Sequence, residues 1–207
     1  MPHAADDPGL AKLPPRHLRA LRTIAGALDG ADIAWGLGGS ALLYVRGLTA
    51  RLPNDIDLLL DENEAPQAFE RLAALGPAEL QGLKEPYCSL HFRRFTLEGC
   101  GADLIAGFGI RHEEGVYRLP WSPSAASPRL PLHGTPDGIP LTPLEDWYVL
   151  YLLLPGRADK AQLIEDGWKD GVPLRSGLLR EALDRPLPAA VCLRILAVLK
   201  KAGEPGA

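Results

Sequence analysis

Residues 33–60 read IAWGLGGSALLYVRGLTARLPNDIDLLL, and the fold turns on this stretch. Ile33, Trp35 and Leu37 alternate with small residues, which predicts a short strand over 33–37 running into Gly38, Gly39 and Ser40. Residues 41–45 are apolar and suit a buried helix, and 55–60 predict a second strand. The order is strand, glycine turn, helix, strand. Side chains at i and i+2 of a strand share a face, so Asp55 and Asp57 stand side by side while Ile56 and Leu58 enter the core. Two adjacent carboxylates repel, and such a pair is stable mainly around a cation. Oxygen-only ligands favour hard ions such as Mg2+ or Mn2+.

Outward from this segment, apolar residues at Leu18, Leu21, Ile24, Ala25 and Leu28 form a helical stripe over 16–28 that ends near Gly30. The acidic stretch 61–64 opens a helix reaching about residue 75, with Pro66 tolerable because it falls in the first turn. Strand-like runs follow at 91–97, 102–106 and 116–119, broken at Gly99, Gly101 and Gly107. Asp103 lies within an apolar run, and a carboxylate there needs a partner. A metal shared with Asp55 and Asp57 would supply one; a strand-end aspartate bonded to backbone amides is the alternative. On 91–97, His91, Arg93 and Phe95 fall on one face and Phe92 and Arg94 on the other, as lining of a nucleotide site or as a polar strand face. Arg111 and His112 are candidate ligand contacts, again with a plain polar role as the alternative.

Gly38 and Gly39 permit a tight turn, and the free amides and hydroxyl at Ser40 offer donors to phosphate oxygens; the same residues also serve as an ordinary turn and helix cap. Residues 121–140 are rich in Ser, Pro and Gly without periodicity and are expected to be a long surface connection. Beyond them Thr142, Pro143 and Glu145 match a capping box, starting a helix that stops at Pro155 and Gly156. Further helices are expected near 158–168, 174–183 and 189–201, with Trp147, Tyr148 and Tyr151 as core. The expected organisation is an α/β domain over 1–120 with a small mixed sheet, a connecting segment over 121–140, and a helical C-terminal domain over 141–207, with the active site between the domains.

Composition narrows the function. The chain has 207 residues, 46% of them hydrophobic, enough for a sizeable core. A net charge of −4 gives no global attraction to nucleic-acid phosphates. The three cysteines, Cys88, Cys100 and Cys192, are scattered outside any zinc-like spacing and are expected to be reduced. No secretion signal or membrane-spanning run is read, so the expected place is the cytoplasm, without a membrane partner.

Taken jointly, Gly38-Gly39-Ser40, then Asn54-Asp55-Ile56-Asp57-Leu58, then Ala102-Asp103-Leu104-Ile105 resemble the signature of the DNA polymerase beta type nucleotidyltransferase superfamily. The likeness is to its minimal bacterial members, including the lincosamide nucleotidyltransferases and the abortive-infection nucleotidyltransferase toxins. It covers roughly residues 30–110, and extends weakly to Glu145-Asp146, Gly156-Arg157 and Asp159. Tyr151 stands where relatives often carry a lysine.

The resemblance implies an α/β fold with a small mixed nucleotidyltransferase sheet and a helical C-terminal domain. It implies a metal-dependent nucleotidyltransferase that moves a nucleoside monophosphate from a nucleoside triphosphate to an acceptor hydroxyl on a small molecule, a protein or an RNA. Asp55, Asp57 and Asp103 would be catalytic and hold two Mg2+ or Mn2+ ions, with Asp103 helping to activate the hydroxyl. Gly38, Gly39, Ser40 and Arg51 would bind nucleotide. The alternatives are a catalytically degenerate nucleotide-binding or regulatory protein, and a toxin or antitoxin component that modifies a protein or tRNA.

Overall fold

A computed structural model describes residues 6–79, 82–120 and 128–203. The chain divides into two compact units. The first comprises residues up to Leu83, Ser89–Phe108 and Pro120–Thr142; the second comprises Lys84–Cys88, Gly109–Leu119 and residues from Pro143 onward.

The centre of the first unit is β2 (Asp55–Leu60), whose Ile56 and Leu58 are wholly buried while Asp55 and Asp57 are not, the alternation that the sequence predicts. Antiparallel to it runs β1 (Trp35–Gly38), which leads directly into the short helix α2 (Gly39–Val45). On its other side β5 (Cys100–Ala106) pairs in parallel, followed by β4 (His91–Leu97) and the two-residue β3 (Ala78–Glu79), both antiparallel. The sheet order is β1-β2-β5-β4-β3, a mixed sheet with one parallel pair.

Helices α1 (Pro15–Asp29) and α3 (Ala65–Ala73) pack on each other and on β5 and β4 respectively. Both bury a face at helical spacing: Ala20, Leu21, Ile24, Ala25 and Leu28 on α1, and Ala65, Ala68, Phe69 and Leu72 on α3. The α1 stripe is rotated slightly from the sequence expectation, with His17 wholly buried and Leu18 only half-buried. Pro66 falls in the first turn of α3, where its missing N–H costs nothing. Phe69 joins α3 to β4, its ring centroid 6.3 Å from Phe95 and 6.4 Å from His91, with the Arg93 guanidinium 4.7 Å above it.

Part of the segment expected to be a surface connection is core. The ladder of β8 (Arg129–Leu130) with β9 (Ile139–Pro140) and the buried Leu132, Ile139 and Leu141 fasten residues 128–142 to the first unit; residues 121–127 lie outside the described ones. Leu141 bridges Leu37 in parallel, so the edge of β1 is covered. The capping box does not form either. Thr142 donates its hydroxyl to the Leu37 carbonyl at 2.8 Å, Pro143 occupies the N-cap position, and Glu145 is taken by Arg175. The backbone carbonyl of β1 and the amide of Arg175 are stronger claims on these side chains than the start of their own helix.

In the second unit the hairpin of β6 (Gly109–His112) and β7 (Gly115–Arg118) accompanies helices α4 (Leu144–Leu153), α5 (Ala158–Lys169), α6 (Ser176–Leu183) and α7 (Ala189–Lys201). Helix α4 is its core, burying Trp147, Tyr148, Val149, Leu150 and Tyr151. Tyr148 donates to Glu165 at 2.8 Å, and Arg194 donates to the same carboxylate oxygen at 2.7 Å. None of the described helices is long and apolar enough to cross a membrane.

Asp146 on α4 gives a pH-dependent prediction. Burial first, then the charge of Glu145, push its carboxyl up to about 7 from an ordinary 3.8, against the pull of Arg175. A folded-state value above the unfolded one means that its contribution is fully present below pH ~4 and is lost as pH rises through about 7. Asp146→Asn is therefore expected to raise stability at pH 8 by about 2 kcal/mol, allowing for its partial exposure, and to do little at pH 4. Denaturant titrations at the two pH values check this; equal effects at both would refute it.

Candidate active site

The sheet register builds the site. Gly38 on β1 pairs with Asp57, Asp57 with Asp103 on β5, Asp103 with Arg94 on β4, and Arg94 with Glu79 on β3. Directly paired residues present their side chains to the same face, so this row crosses all five strands on one face of the sheet. Asp55, two residues before Asp57, shares that face, opposite the side-chain-free Gly101.

Arg94 ties the carboxylates together. Its Nε donates to Asp103 Oδ1 at 2.6 Å and its Nη2 to Asp103 Oδ2 at 2.6 Å, a bidentate fork. Nη2 also reaches Asp55 Oδ2 at 3.1 Å. The hydrogen bond to Asp103 raises the guanidinium pKa further above its ordinary value, with the charges of Asp103, Asp55 and Glu79 adding to it. The partner that a carboxylate in an apolar strand requires is therefore an arginine two strands from β2. Alternation on β4 puts Arg94 opposite Arg93, but only the register reveals which of the two meets Asp103.

At the other end of the row the chain turns. Gly39 has φ +60°, and a Cβ there would overlap the Asp57 carboxylate, so glycine is required both by the backbone and by the approach of Asp57. Ser40 follows, half-buried at the start of α2. Gly38 and Gly39 thus adjoin Asp57 directly. Arg51 is exposed, and its backbone N–H donates to Thr49 Oγ1 at 3.1 Å.

From the helix side His17, wholly buried, is held below its ordinary pKa by burial and by Arg16, while the charge of Asp55 acts the other way. His91 and Arg93 face α3 rather than the aspartates. Arg111 pairs with Glu85 at 3.2 Å, and His112 Nδ1 accepts the Glu114 N–H at 3.2 Å.

The donor set can be weighed against a divalent ion. On that face Asp55, Asp57, Asp103 and Glu79 outnumber the one guanidinium, and the donors of the three aspartates are all hard oxygens, which suits Mg2+ or Mn2+. Asp55 Oδ1 is outside the Arg94 fork, whereas both Asp103 oxygens are within it. Among the described residues no group of three or more His, Cys, Asp or Glu side chains is arranged to hold a metal ion.

No protein-family model and no curated protein matches the chain. Solved structures do. A Thermotoga maritima protein (TM1012), provisionally assigned as a nucleotidyltransferase, is 26% identical over 76% of this chain and 96% of its own, with a TM-score of 0.53. The antibiotic-resistance factor ANT(2'')-Ia is similar in fold at 12% identity: its solution structure gives a TM-score of 0.50 over 90% of this chain and 92% of its own. Its crystal structure in complex with adenylyl-2''-tobramycin gives 0.51 over 90% of this chain and 98% of its own. With its mixed five-stranded sheet and these neighbours, the chain has the nucleotidyltransferase fold and stands with the enzymes of that class.

Proposed function

We propose that the protein is a metal-dependent nucleotidyltransferase that transfers a nucleoside monophosphate from a nucleoside triphosphate to an acceptor hydroxyl. The observation that supports this most is the cross-sheet row, in which Asp57 and Asp103 are register partners and Asp55 lies beside them on the same face.

In this proposal Asp55 and Asp57 hold Mg2+ or Mn2+, two ions in all, with Asp103 completing one site. When bound, such ions neutralise charge on the triphosphate and stabilise the entering and leaving oxygens. The chain's own part is positional and electrostatic. The backbone amides of the Gly38-Gly39-Ser40 turn and the Ser40 hydroxyl hold phosphate oxygens, and the turn is set against Asp57. Asp103 orients the acceptor hydroxyl and accepts its proton as the oxygen attacks the α-phosphorus and pyrophosphate leaves. Arg51, exposed in the loop before β2, adds a positive charge for the nucleotide phosphates.

The acceptor is a hydroxyl of a small molecule, a protein or an RNA. ANT(2'')-Ia, crystallised with adenylyl-2''-tobramycin, makes polyhydroxylated amines the first small molecules to try. The test is incubation with α-phosphorus-labelled nucleoside triphosphates and each acceptor class. Labelled adduct and pyrophosphate are expected only with Mg2+ or Mn2+. Tight nucleotide binding with no turnover on any acceptor would instead mark a degenerate nucleotide-binding protein.

A further inference from the structure

We propose that Arg94 is a latch that competes with a divalent cation for the carboxylate oxygens of Asp103 and Asp55 and must give them up before the cation can use Asp103. This rests on the metal-dependent reading above. The Arg94 fork engages both oxygens of Asp103 and one of Asp55, so a single planar group blocks three of the oxygens that a cation would need. A guanidinium does not deprotonate in proteins, so only movement can release them. The backbone of Arg94 is fixed to Asp103 by the β4–β5 ladder, and the moving part is therefore the side chain alone.

The side chain has somewhere to go. It is 32% exposed, against 11% for Asp103. Its cross-strand neighbour on the far side, Glu79, is exposed and already attracts it. Arg94 thereby keeps Asp103 paired, where a buried carboxylate beside Asp57 would otherwise repel its neighbour. Arg94 acts through Asp103 and Asp55 and is a positioning residue.

The test measures cation binding without any turnover. Free Mn2+ is followed by electron paramagnetic resonance during titration of wild type, Arg94→Met and Arg94→Lys. Removal of the competing fork is expected to tighten Mn2+ binding at least about tenfold in Arg94→Met. Lysine, a single-point donor in place of a fork, is expected to fall between. In chelator Arg94→Met is expected to melt below wild type and to recover on addition of Mn2+. Equal Mn2+ affinity in the three proteins, or weaker binding in both variants, would overturn the latch and leave the proposed metal site standing. Binding no better than that of Asp57→Asn in all of them would overturn both.

Discussion

Asp57→Asn is expected to reduce nucleotidyl transfer at least about a thousandfold, the scale on which removing one preorganised charge from a reacting phosphate acts. Asp57 sits at the centre of the site, against the Gly39 turn on one side and in register with Asp103 on the other. An asparagine keeps the shape and removes the charge that would hold a cation beside the triphosphate. The same substitution gives a readout that needs no acceptor. Magnesium with a nucleoside triphosphate should raise the melting temperature of wild type by mass action, and the variant should respond much less. A wild-type rate, or an undiminished thermal response, would remove Asp57 from the metal site.

The second large effect is expected at Gly39. Alanine there must adopt φ near +60°, which costs on the order of 1–2 kcal/mol, and its Cβ would collide with the Asp57 carboxylate. Overpacking of that kind adds a similar amount, so Gly39→Ala should lose about 3 kcal/mol of stability and at least about a hundredfold in transfer. Gly47→Ala is the matched control. Gly47 also has a positive φ, +74°, but a Cβ there meets nothing within 4 Å, so only the backbone cost of about 1 kcal/mol applies and transfer is retained. Chemical denaturation and the transfer assay on both variants separate the two causes; equal losses would show that the approach of Asp57 to the turn does not matter.

The elements legible in the sequence are those whose pattern matches their burial. Strand β2 announces itself because Ile56 and Leu58 alternate with two aspartates, and α7 because Val191, Ile195 and Leu199 recur every four residues. What escaped depends on partners distant in the chain. Arg94 finds Asp103 nine residues away and Asp55 thirty-nine away, through a register that no local pattern encodes. Thr142 reads as a helix cap but bonds Leu37, one hundred and five residues earlier. The β8–β9 ladder is two residues long on each side, too short to show a period among its prolines and glycines. The three aspartates could be nominated from spacing and resemblance, whereas Arg94, which pairs with Asp103 and Asp55, could not.

The most direct measurement of the central claim is anomalous diffraction from crystals grown with Mn2+ and a non-hydrolysable nucleoside triphosphate. The proposed site predicts Mn2+ bonded to oxygens of Asp55 and Asp57, with the phosphates against the Gly38-Gly39-Ser40 turn. A metal and nucleotide bound elsewhere, leaving both aspartates without an ion, would contradict it.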